Sequence, residues 1–523
     1  MHEEVRITYS DRLNLSQALL DDNIKAGRVG RPAVYYHDKV YTYGDILEMS
    51  CRFGDALAHE LGIGIEDRIM LILKDSPEFL AVFLGSIRIG AVAIPVNTML
   101  TSADYRYMIN LSRCKVLVVD CDLLDLIREV RPGLKYVKHF IAVRTTEAHD
   151  FISYEELVEG GSRWVEPADT HKDDAAFWLW TSGTTGTPQA VIHLHHDGVF
   201  VADTYGKHVL KITEEDRCFS ASKLFFAYGL DNSLFYTFRH GASCILYPEK
   251  PRPEELFRII KKNRPTIFYS VPSMYNAMLQ VAEKLGDGEI DLSSLRLCVS
   301  AGEALPAPIY WEWKRRFNVD ILDGMGSTEI LGMALSNRPG KIKPGSSGLP
   351  VPGCEAKVVD EDGNEVKVGE AGYLMVKADS TTPYYWLNHE KSKKRIVGEW
   401  IYTGDIYKKD EDGFFWYLGR ADDMIKHKGV WVSPIEVESI LLENHAVKEC
   451  AVVGVKDEVG LNVIKAFIVL KEEYKHQTSM EDIIRFAKQR LPSYKVPRIV
   501  QFVDELPKTA TGKIRRFILR GGR

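Results

Sequence analysis

The chain is 523 residues long, which exceeds what one hydrophobic core supports, so we expect at least two domains. Its composition is 45% hydrophobic and 27% charged, and no apolar run reaches the length of a membrane-spanning helix. We therefore expect a soluble protein without a membrane partner. The formal net charge of -6 is spread along the chain without a basic stripe, which argues against nucleic acid as a partner.

The start of the chain and the cysteines both favour a cytoplasmic protein. Residues 1–11 carry charges of both signs and lack the basic and then apolar order of a secretory signal. The eight cysteines are scattered, without a CxxC pair or metal-ligand spacing, so we expect them to be reduced and mostly buried. The sequence leaves monomer and homodimer equally open.

Up to about residue 170, apolar runs of strand length alternate with amphipathic helical stretches. Residues 68–73 and 91–96 have the pattern of strands on either side of a helix over 77–89. Further buried strands are predicted at 116–120, 140–143, 266–269 and 295–300. This alternation is typical of mostly parallel sheets covered by helices on both faces.

The composition changes after Pro339, where glycine and proline become dense and alternating strands predict a small antiparallel subdomain. The last hundred residues predict a compact α+β unit, with helices over 434–443 and 480–490 and strands over 447–455 and 464–469. We place the boundary at Ala421-Asp422, which gives an N-terminal domain of residues 1–421 and a C-terminal domain of residues 422–523. Movement between them would need a hinge of very few residues.

A loop rich in hydroxyl groups follows the apolar strand at 176–180. Its sequence, Thr181-Ser182-Gly183-Thr184-Thr185-Gly186-Thr187-Pro188, offers N–H and O–H groups that can surround the oxygens of a polyphosphate. It fits neither GxxxxGK[ST] nor GxGxxG. On these residues alone, a solvated loop is an equal alternative.

Five more segments follow the loop. They are Ser300-Ala301-Gly302-Glu303-Ala304-Leu305-Pro306, Asp323-Gly324-Met325-Gly326-Ser327-Thr328-Glu329, Trp400-Ile401-Tyr402-Thr403-Gly404-Asp405, Gly419-Arg420-Ala421-Asp422-Asp423 and Pro507-Lys508-Thr509-Ala510-Thr511-Gly512-Lys513. Taken singly, each has an ordinary alternative, such as a turn or a solvated basic tail. In this order they resemble the acyl-adenylate-forming superfamily, which includes acyl-CoA synthetases, luciferases and peptide-synthetase adenylation domains. The resemblance extends from about Tyr41 to Arg516.

The resemblance implies an α/β fold with a large N-terminal domain of parallel-sheet subdomains and a small antiparallel, barrel-like subdomain. A small, mobile α+β domain follows. It also implies that a small carboxylic acid reacts with ATP, with Mg²⁺ bound, to give acyl-AMP and pyrophosphate, and that coenzyme A then displaces AMP. A carboxylate approaching a phosphate brings two negative charges together, so such a site has to neutralise the phosphate oxygens in advance.

Roles are carried over residue by residue from the matching segments. ATP and AMP would be bound by Thr181, Ser182, Gly183, Thr184, Thr185, Gly186, Gly302, Glu303, Ala304, Asp323, Gly324, Met325, Gly326, Asp405 and Arg420. Catalysis would use Lys513, Glu329 and Thr328, with Thr184 and Glu329 holding Mg²⁺, Asp422 as the hinge, and Lys426, Lys428 and Gly429 guiding coenzyme A. For these last charged residues a solvated basic turn is equally open.

Two positions depart from the superfamily pattern. Gln189 stands where lysine usually follows the proline of the loop, which removes a positive charge near the pyrophosphate and predicts weaker ATP binding or slower adenylation. Met325 stands where many relatives carry an aromatic residue against the adenine, and its thioether can still cover the base.

Within the superfamily, the chain resembles the benzoate-CoA ligase group at residues 192–197, 223–230, 326–329 and 431–434. By that resemblance Phe226, Ala227, Tyr228, Gly326, Leu331 and Gly332 would line the acyl pocket, which suits a flat or cyclic acid. The group reads Met-Leu-His after the glutamate, whereas this chain reads Ile330-Leu331-Gly332. We therefore expect a wider pocket floor that admits substituted benzoates, cyclohexane- or cyclohexene-carboxylates and branched short-chain acids.

Other functions stay open on the sequence. The aromatic residues of the predicted acyl pocket could be ordinary core. The chain could be a branched short-chain acyl-CoA synthetase, or a ligase that loads the acyl group onto a carrier protein. The glutamine at position 189 also leaves room for a nucleotide-binding paralogue without catalytic activity.

Overall fold

The structure of the protein is a computed structural model that describes residues 5–145, 150–182, 187–285, 290–427, 430–456, 462–475, 477–508 and 514–521. Within these ranges the side chains of residues 182, 426, 427, 430 and 431 are not described. Among the described residues, no helix is both long and apolar enough to cross a membrane. All eight cysteines are free, and all but Cys121 and Cys354 are buried.

The first sheet has seven strands and is parallel except at one edge. In spatial order its strands are Ile152–Ser153, His139–Val143, Val116–Asp120, Arg68–Ile72, Val92–Pro95, Ala175–Ser182 and Pro188–Leu194. The last two pair antiparallel from Ala175 opposite Leu194 to Ser182 opposite Pro188. The predicted phosphate loop therefore connects the two strands of a hairpin.

The second sheet has nine strands, with six parallel strands in the middle and antiparallel strands at both ends. In spatial order they are Leu349–Pro350, Met333–Ser336, Ile321–Gly326, Leu297–Ser300, Ile267–Ser270, Arg217–Ser220, Ser243–Leu246, Pro32–Tyr36 and Lys39–Thr42. The central strands are buried along their whole length, as a sheet with both faces covered requires.

The remaining sheets are smaller. The antiparallel five-stranded sheet contains Glu355–Val359, Ala371–Lys377, Trp400–Lys409, Ile396–Val397 and Phe415–Arg420. Beyond it lie the pair Ile425–His427 and Val430–Val432 and the three-stranded sheet of Val447–Lys456, Asn462–Leu470 and Ile499–Phe502. The described residues from Ile425 onward form hydrophobic clusters of their own.

The helices cover the sheets and connect their strands. The α-helices are Leu15–Leu19, Asp21–Lys25, Tyr43–His59, Pro77–Arg88, Ser102–Ser112, Leu124–Val130, Tyr154–Glu159, His195–Val201, Ala227–Leu230, Tyr236–Arg239, Pro253–Asn263, Pro272–Leu285, Ala307–Phe317, His389–Arg395, Pro434–Leu442, Met480–Lys488 and Arg516–Leu519. Short 3-10 helices span Cys121–Leu123, Arg131–Gly133, Glu472–Tyr474 and Ser493–Lys495, and π-helices span Ala202–Leu210 and Asp231–Phe235.

The predicted fold class is confirmed, and the predicted elements lie within about two residues of the observed ones. The helix predicted over 77–89 is Pro77–Arg88, which begins with Ser76 as its N-cap and a proline in its first turn. The antiparallel subdomain predicted after Pro339 is the five-stranded sheet. The domain boundary at Ala421-Asp422 stays a prediction.

One buried ion pair ties the amino-terminal helices to the first sheet. Arg88, at the end of the helix Pro77–Arg88, donates to both carboxylate oxygens of Asp21, at 2.7 and 3.0 Å. The two side chains are 0% and 6% exposed. Such a pair adds little net stability when intact, but removing one partner leaves a charge buried without compensation.

We predict that the substitution Asp21→Ala lowers the free energy of unfolding by about 3–5 kcal/mol, because the Arg88 guanidinium loses its only carboxylate partner in the described structure. Urea denaturation followed by fluorescence measures the change. Asp22→Ala is the matched control, since Asp22 is half exposed and its ion pairs lie at the surface. Equal effects of the two substitutions would contradict this account.

Candidate active site

A cavity of about 1060 Å³ lies between the second sheet, the antiparallel sheet and the C-terminal unit. Its walls include the carboxyl end of the strand Ile321–Gly326, the strand Trp400–Lys409 and the helix Pro434–Leu442. Ligands of open α/β sheets bind outside the carboxyl ends of parallel strands. The volume is at the upper end of what small-molecule sites need, so it can hold a nucleotide and an acid together.

Most of the predicted nucleotide residues that the structure describes line this cavity. They are Thr181, Gly302, Glu303, Ala304, Gly324, Met325, Gly326, Thr328, Glu329, Asp405 and Arg420. Asp323 and Asp422 do not line it, nor do Phe226, Ala227, Tyr228, Leu331 and Gly332. Gly183, Thr184, Thr185, Gly186, Lys428, Gly429 and Lys513 lie outside the described residues, as do the side chains of Ser182 and Lys426.

The turn at Thr328-Glu329 is held from the segment that leads out of the antiparallel sheet. The Glu329 side chain accepts a hydrogen bond from the hydroxyl of Tyr385, with Oε1 3.0 Å away. The Glu329 carbonyl accepts one from the N–H of Thr382 at 2.8 Å. The next carbonyl, of Ile330, accepts from the hydroxyl of Ser380 at 2.6 Å. The carboxylate at the cavity wall is therefore fixed in place while only 8% of the residue is exposed.

The same turn is held from the first sheet by a buried histidine. His193 Nε2 lies 2.8 Å from the carbonyl oxygen of Thr328, and its Nδ1 lies 2.8 Å from Oδ2 of Asp197. A carbonyl oxygen only accepts, so Nε2 carries a proton and donates it. Burial raises the pKa of Asp197, and the hydrogen bond from His193 opposes this shift. Both residues are fully buried.

The strand Pro188–Leu194 positions several of these contacts by simple alternation. Ala190 and Ile192 point into a hydrophobic cluster of the first sheet. Since successive side chains of a strand point to opposite faces, Gln189 and His193 point the other way, toward the site. The backbone of Val191 also forms an isolated antiparallel bridge with Tyr385.

Asp405 and Arg420, predicted from separate segments, form an ion pair at the cavity wall. They are opposite each other in neighbouring strands, with Oδ1 of Asp405 3.0 Å from Nη1 of Arg420. Burial raises the pKa of Asp405, and Arg420 opposes that shift. Arg420 also donates to the carbonyl of Thr403, as does Arg395. The pair therefore places a carboxylate and a cation at the cavity wall, and the binding of ATP or AMP by these residues stays a prediction.

Asp323 lies just behind the cavity wall. Its Oδ2 accepts a hydrogen bond from the N–H of Leu305 at 3.2 Å, and the residue is 3% exposed. Burial raises the pKa of this carboxyl to about 8. The carboxyl is therefore largely neutral at pH 7, and any hydrogen bond that it accepts from the nucleotide would go to its carbonyl oxygen.

Of the predicted acyl residues, Phe226, Ala227 and Tyr228 are partly exposed, whereas Leu331 and Gly332 are buried. The hydroxyl of Tyr228 lies 3.1 Å from the Val299 carbonyl and 3.2 Å from that of Ser270. The segment before it is anchored by Asp75, which accepts from the N–H of Leu224 and lies 3.8 Å from the amine of Lys223.

The wider floor expected at Gly332 stays a prediction, but the space beside this glycine is closely packed. A Cβ on this glycine would come within 2.9 Å of the Tyr236 hydroxyl and 3.0 Å of Val201. These two side chains occupy the space that a larger residue would take. Both Leu331 and Gly332 have left-handed backbone angles, with φ of 52° and 71°. Such a conformation favours glycine and is strained for leucine.

Several residues that hold the site were missed at the sequence level. Tyr385, Thr382, Ser380 and Arg395 carry no recognised motif, and His193 was noted only as part of a resemblance. His193 could have been found from the sequence, because it is a polar residue in an otherwise mostly apolar strand. For the segment around Tyr385 no such signal existed, because its partner, the strand Pro188–Leu194, lies almost 200 residues earlier in the chain.

Comparison with known protein families identifies the family of this chain. The AMP-binding enzyme family matches residues 20–386, and the C-terminal domain of AMP-binding enzymes matches residues 436–513. The chain belongs to the family of AMP-binding enzymes. Within the family it is an AMP-forming acid–CoA ligase, whose co-substrates are ATP and coenzyme A.

Aromatic acid ligases are among the most similar family members. A benzoate–CoA ligase of Thauera aromatica is 43% identical over 98% of this chain and 97% of its own length. A 4-hydroxybenzoate–CoA/benzoate–CoA ligase of Rhodopseudomonas palustris is 38% identical over 97% of this chain and 94% of its own. The crystal structure of an anthranilate CoA ligase with anthranoyl-AMP has a TM-score of 0.93 at 39% identity and covers 98% of both chains.

We predict that His193→Ala lowers kcat/KM for acid-dependent AMP release by about 10-fold or more, because the buried hydrogen bond to the Thr328 carbonyl is lost and Asp197 loses one of its partners. A coupled assay for AMP measures the change. His59→Ala serves as control, since His59 is largely exposed and bonds only to Asp55 among the described residues. Unchanged kcat/KM in a folded His193→Ala enzyme would contradict the positioning role.

Proposed function

We propose that this AMP-binding enzyme joins a small aromatic carboxylic acid, benzoate or a ring-substituted benzoate, to coenzyme A. The observation that carries the proposal is the similarity over the full length of both chains to the benzoate–CoA ligase of Thauera aromatica. The partly exposed rings of Phe226 and Tyr228 would offer flat faces to the ring of such an acid. Cyclohexane- and cyclohexene-carboxylates are ring acids of similar size and stay candidates.

The proposed reaction has two steps. A carboxylate oxygen of the acid attacks the α-phosphorus of ATP, the bond to the bridging oxygen breaks, and pyrophosphate leaves. The thiolate of coenzyme A then attacks the acyl carbon, and AMP leaves. In the first step Thr328 and Lys513 would contact the phosphates, and Asp405 would accept hydrogen bonds from the ribose hydroxyls.

Glu329 fits the proposed Mg²⁺ site. Its carboxylate is at the cavity wall and is fixed by Tyr385, and carboxylate oxygens are ligands that Mg²⁺ prefers. Thr184 would add a hydroxyl oxygen. A bound Mg²⁺ would neutralise phosphate charge as the acid approaches.

We further propose that residues 422–523 act as a lid that turns about Asp422. The separate hydrophobic clusters from Ile425 onward support this division. Arg520 donates to the carbonyl of Asp422 and pairs with Asp423, so the proposed hinge is held from within the lid itself. Lys426, Lys428 and Gly429 would then guide coenzyme A. We place the enzyme in the cytoplasm, as a monomer or homodimer.

A panel of acids tests the substrate class. With ATP, Mg²⁺ and coenzyme A, we expect kcat/KM for benzoate or a hydroxy- or aminobenzoate to exceed that for butyrate, isobutyrate and palmitate by about 100-fold, because several ring contacts are lost together. The product nucleotide, followed by chromatography, should be AMP. Cyclohexanecarboxylate is the control for ring shape without aromaticity. A preference for a chain acid over every ring acid would refute the proposal.

A further inference from the structure

Lys391 belongs to the cavity wall but to none of the segments that identified the site. It lies in the helix His389–Arg395, which Asn388 begins by accepting a hydrogen bond from the Lys391 N–H. Its ammonium is 4.0 Å from the ring centre of Tyr385, the residue whose hydroxyl holds Glu329. Lys391 therefore stands beside the carboxylate around which the phosphates are proposed to bind.

Among the described residues, Lys391 has a ring beside its ammonium but no carboxylate as an ion-pair partner. Two nearby cations of the cavity wall do have one: Arg420 pairs with Asp405 at 3.0 Å, and Lys394 pairs with Glu390 at 2.8 Å. For Lys391 no carboxylate lies within ion-pair distance among the described residues. Partial burial lowers the pKa of its ammonium, and Glu329 only partly opposes this shift. A half-buried cation of this kind is stabilised when an anion enters the cavity.

The strand Pro188–Leu194 brings a neutral side chain to the same part of the cavity. Gln189 lines the cavity without charge, and its Oε1 accepts a hydrogen bond from Nδ2 of Asn388 at 2.6 Å. This bond ties the neutral side chain to the residue that begins the helix of Lys391. The helix and the strand thus face the same part of the cavity, and among these residues Lys391 brings the positive charge.

We propose that the ammonium of Lys391 binds the β- and γ-phosphates of ATP and supplies the positive charge that Gln189 lacks. The proposal rests on the adenylation site described above. When the carboxylate attacks the α-phosphorus, the electron pair of the breaking bond goes to pyrophosphate, whose added charge Lys391 stabilises. Lys391 is a catalytic residue in this sense, because it touches the substrate.

Binding of nucleotides without any acid tests the proposal separately from the choice of acid. Isothermal titration with Mg²⁺ would compare α,β-methylene-ATP, which is not cleaved, with AMP, which lacks the two outer phosphates. We expect Lys391→Met to weaken binding of the ATP analogue by about 10-fold or more while AMP affinity changes less than about 2-fold, since charge-assisted hydrogen bonds to the outer phosphates are lost.

Lys393→Met is the matched control, because Lys393 lies in the same helix, is exposed and does not line the cavity. It should leave both affinities unchanged. If Lys391→Met leaves the affinity for the ATP analogue unchanged, or weakens AMP equally, the proposal is overturned. Should Lys391→Met fail to fold, Lys391→Gln carries the same test with a polar side chain.

A double substitution separates charge from structure. Adding Gln189→Lys to Lys391→Met returns a cation to the facing strand, so we expect it to recover about 5-fold of the lost affinity for the ATP analogue. The same change in the wild-type background should add less, because Lys391 already supplies the charge. No recovery in the folded double variant would refute the view that Lys391 acts through its charge.

Discussion

A carboxylate that binds a metal ion has to be held in place without being neutralised by the protein, and Glu329 meets this constraint. Its side chain is nearly buried, yet its hydrogen-bond donor among the described residues is a neutral hydroxyl, that of Tyr385. The surrounding turn is fixed through backbone carbonyls rather than through the carboxylate. The rest of the site depends on this arrangement, because it leaves the negative charge available to the cavity.

Three units of the fold meet at that turn. The second sheet supplies Thr328 and Glu329 themselves, the edge strand of the first sheet supplies His193, and the segment following the strand Ala371–Lys377 supplies Tyr385. The backbone on the two sides of the turn is closely packed, since a Cβ on Gly326 would lie 2.2 Å from the Gly332 carbonyl oxygen. The strained conformation of Leu331 persists because this packing overdetermines it.

The sequence was sufficient for the strands and for the nucleotide face of the site. Buried parallel strands are continuous apolar runs, so Val116–Asp120 was predicted to the residue. Asp405 and Arg420 were found through separate motifs, and their mutual ion pair then followed from strand register. Short sequence motifs therefore identify site residues well when the local backbone geometry is fixed.

The supporting contacts could not be predicted because they join residues distant in sequence. The hydrogen bond from His193 to Thr328 spans two sheets, and the bridge from Val191 to Tyr385 joins an edge strand to a connecting segment. The surroundings of Gly332 were also not predictable from nearby residues. The small residue suggested free space in the acyl pocket, but Tyr236 and Val201 come close to it from other helices.

The most direct test of the central claim is isotope exchange between pyrophosphate and ATP, measured with benzoate and without coenzyme A. Substituting Glu329→Gln removes the charge while keeping the size and the possible hydrogen bond from Tyr385. The account predicts an exchange rate lower by about 100-fold or more, because the proposed Mg²⁺ would lose its fixed carboxylate ligand and no longer offset the phosphate charge. Exchange at the wild-type rate in this variant would contradict the account.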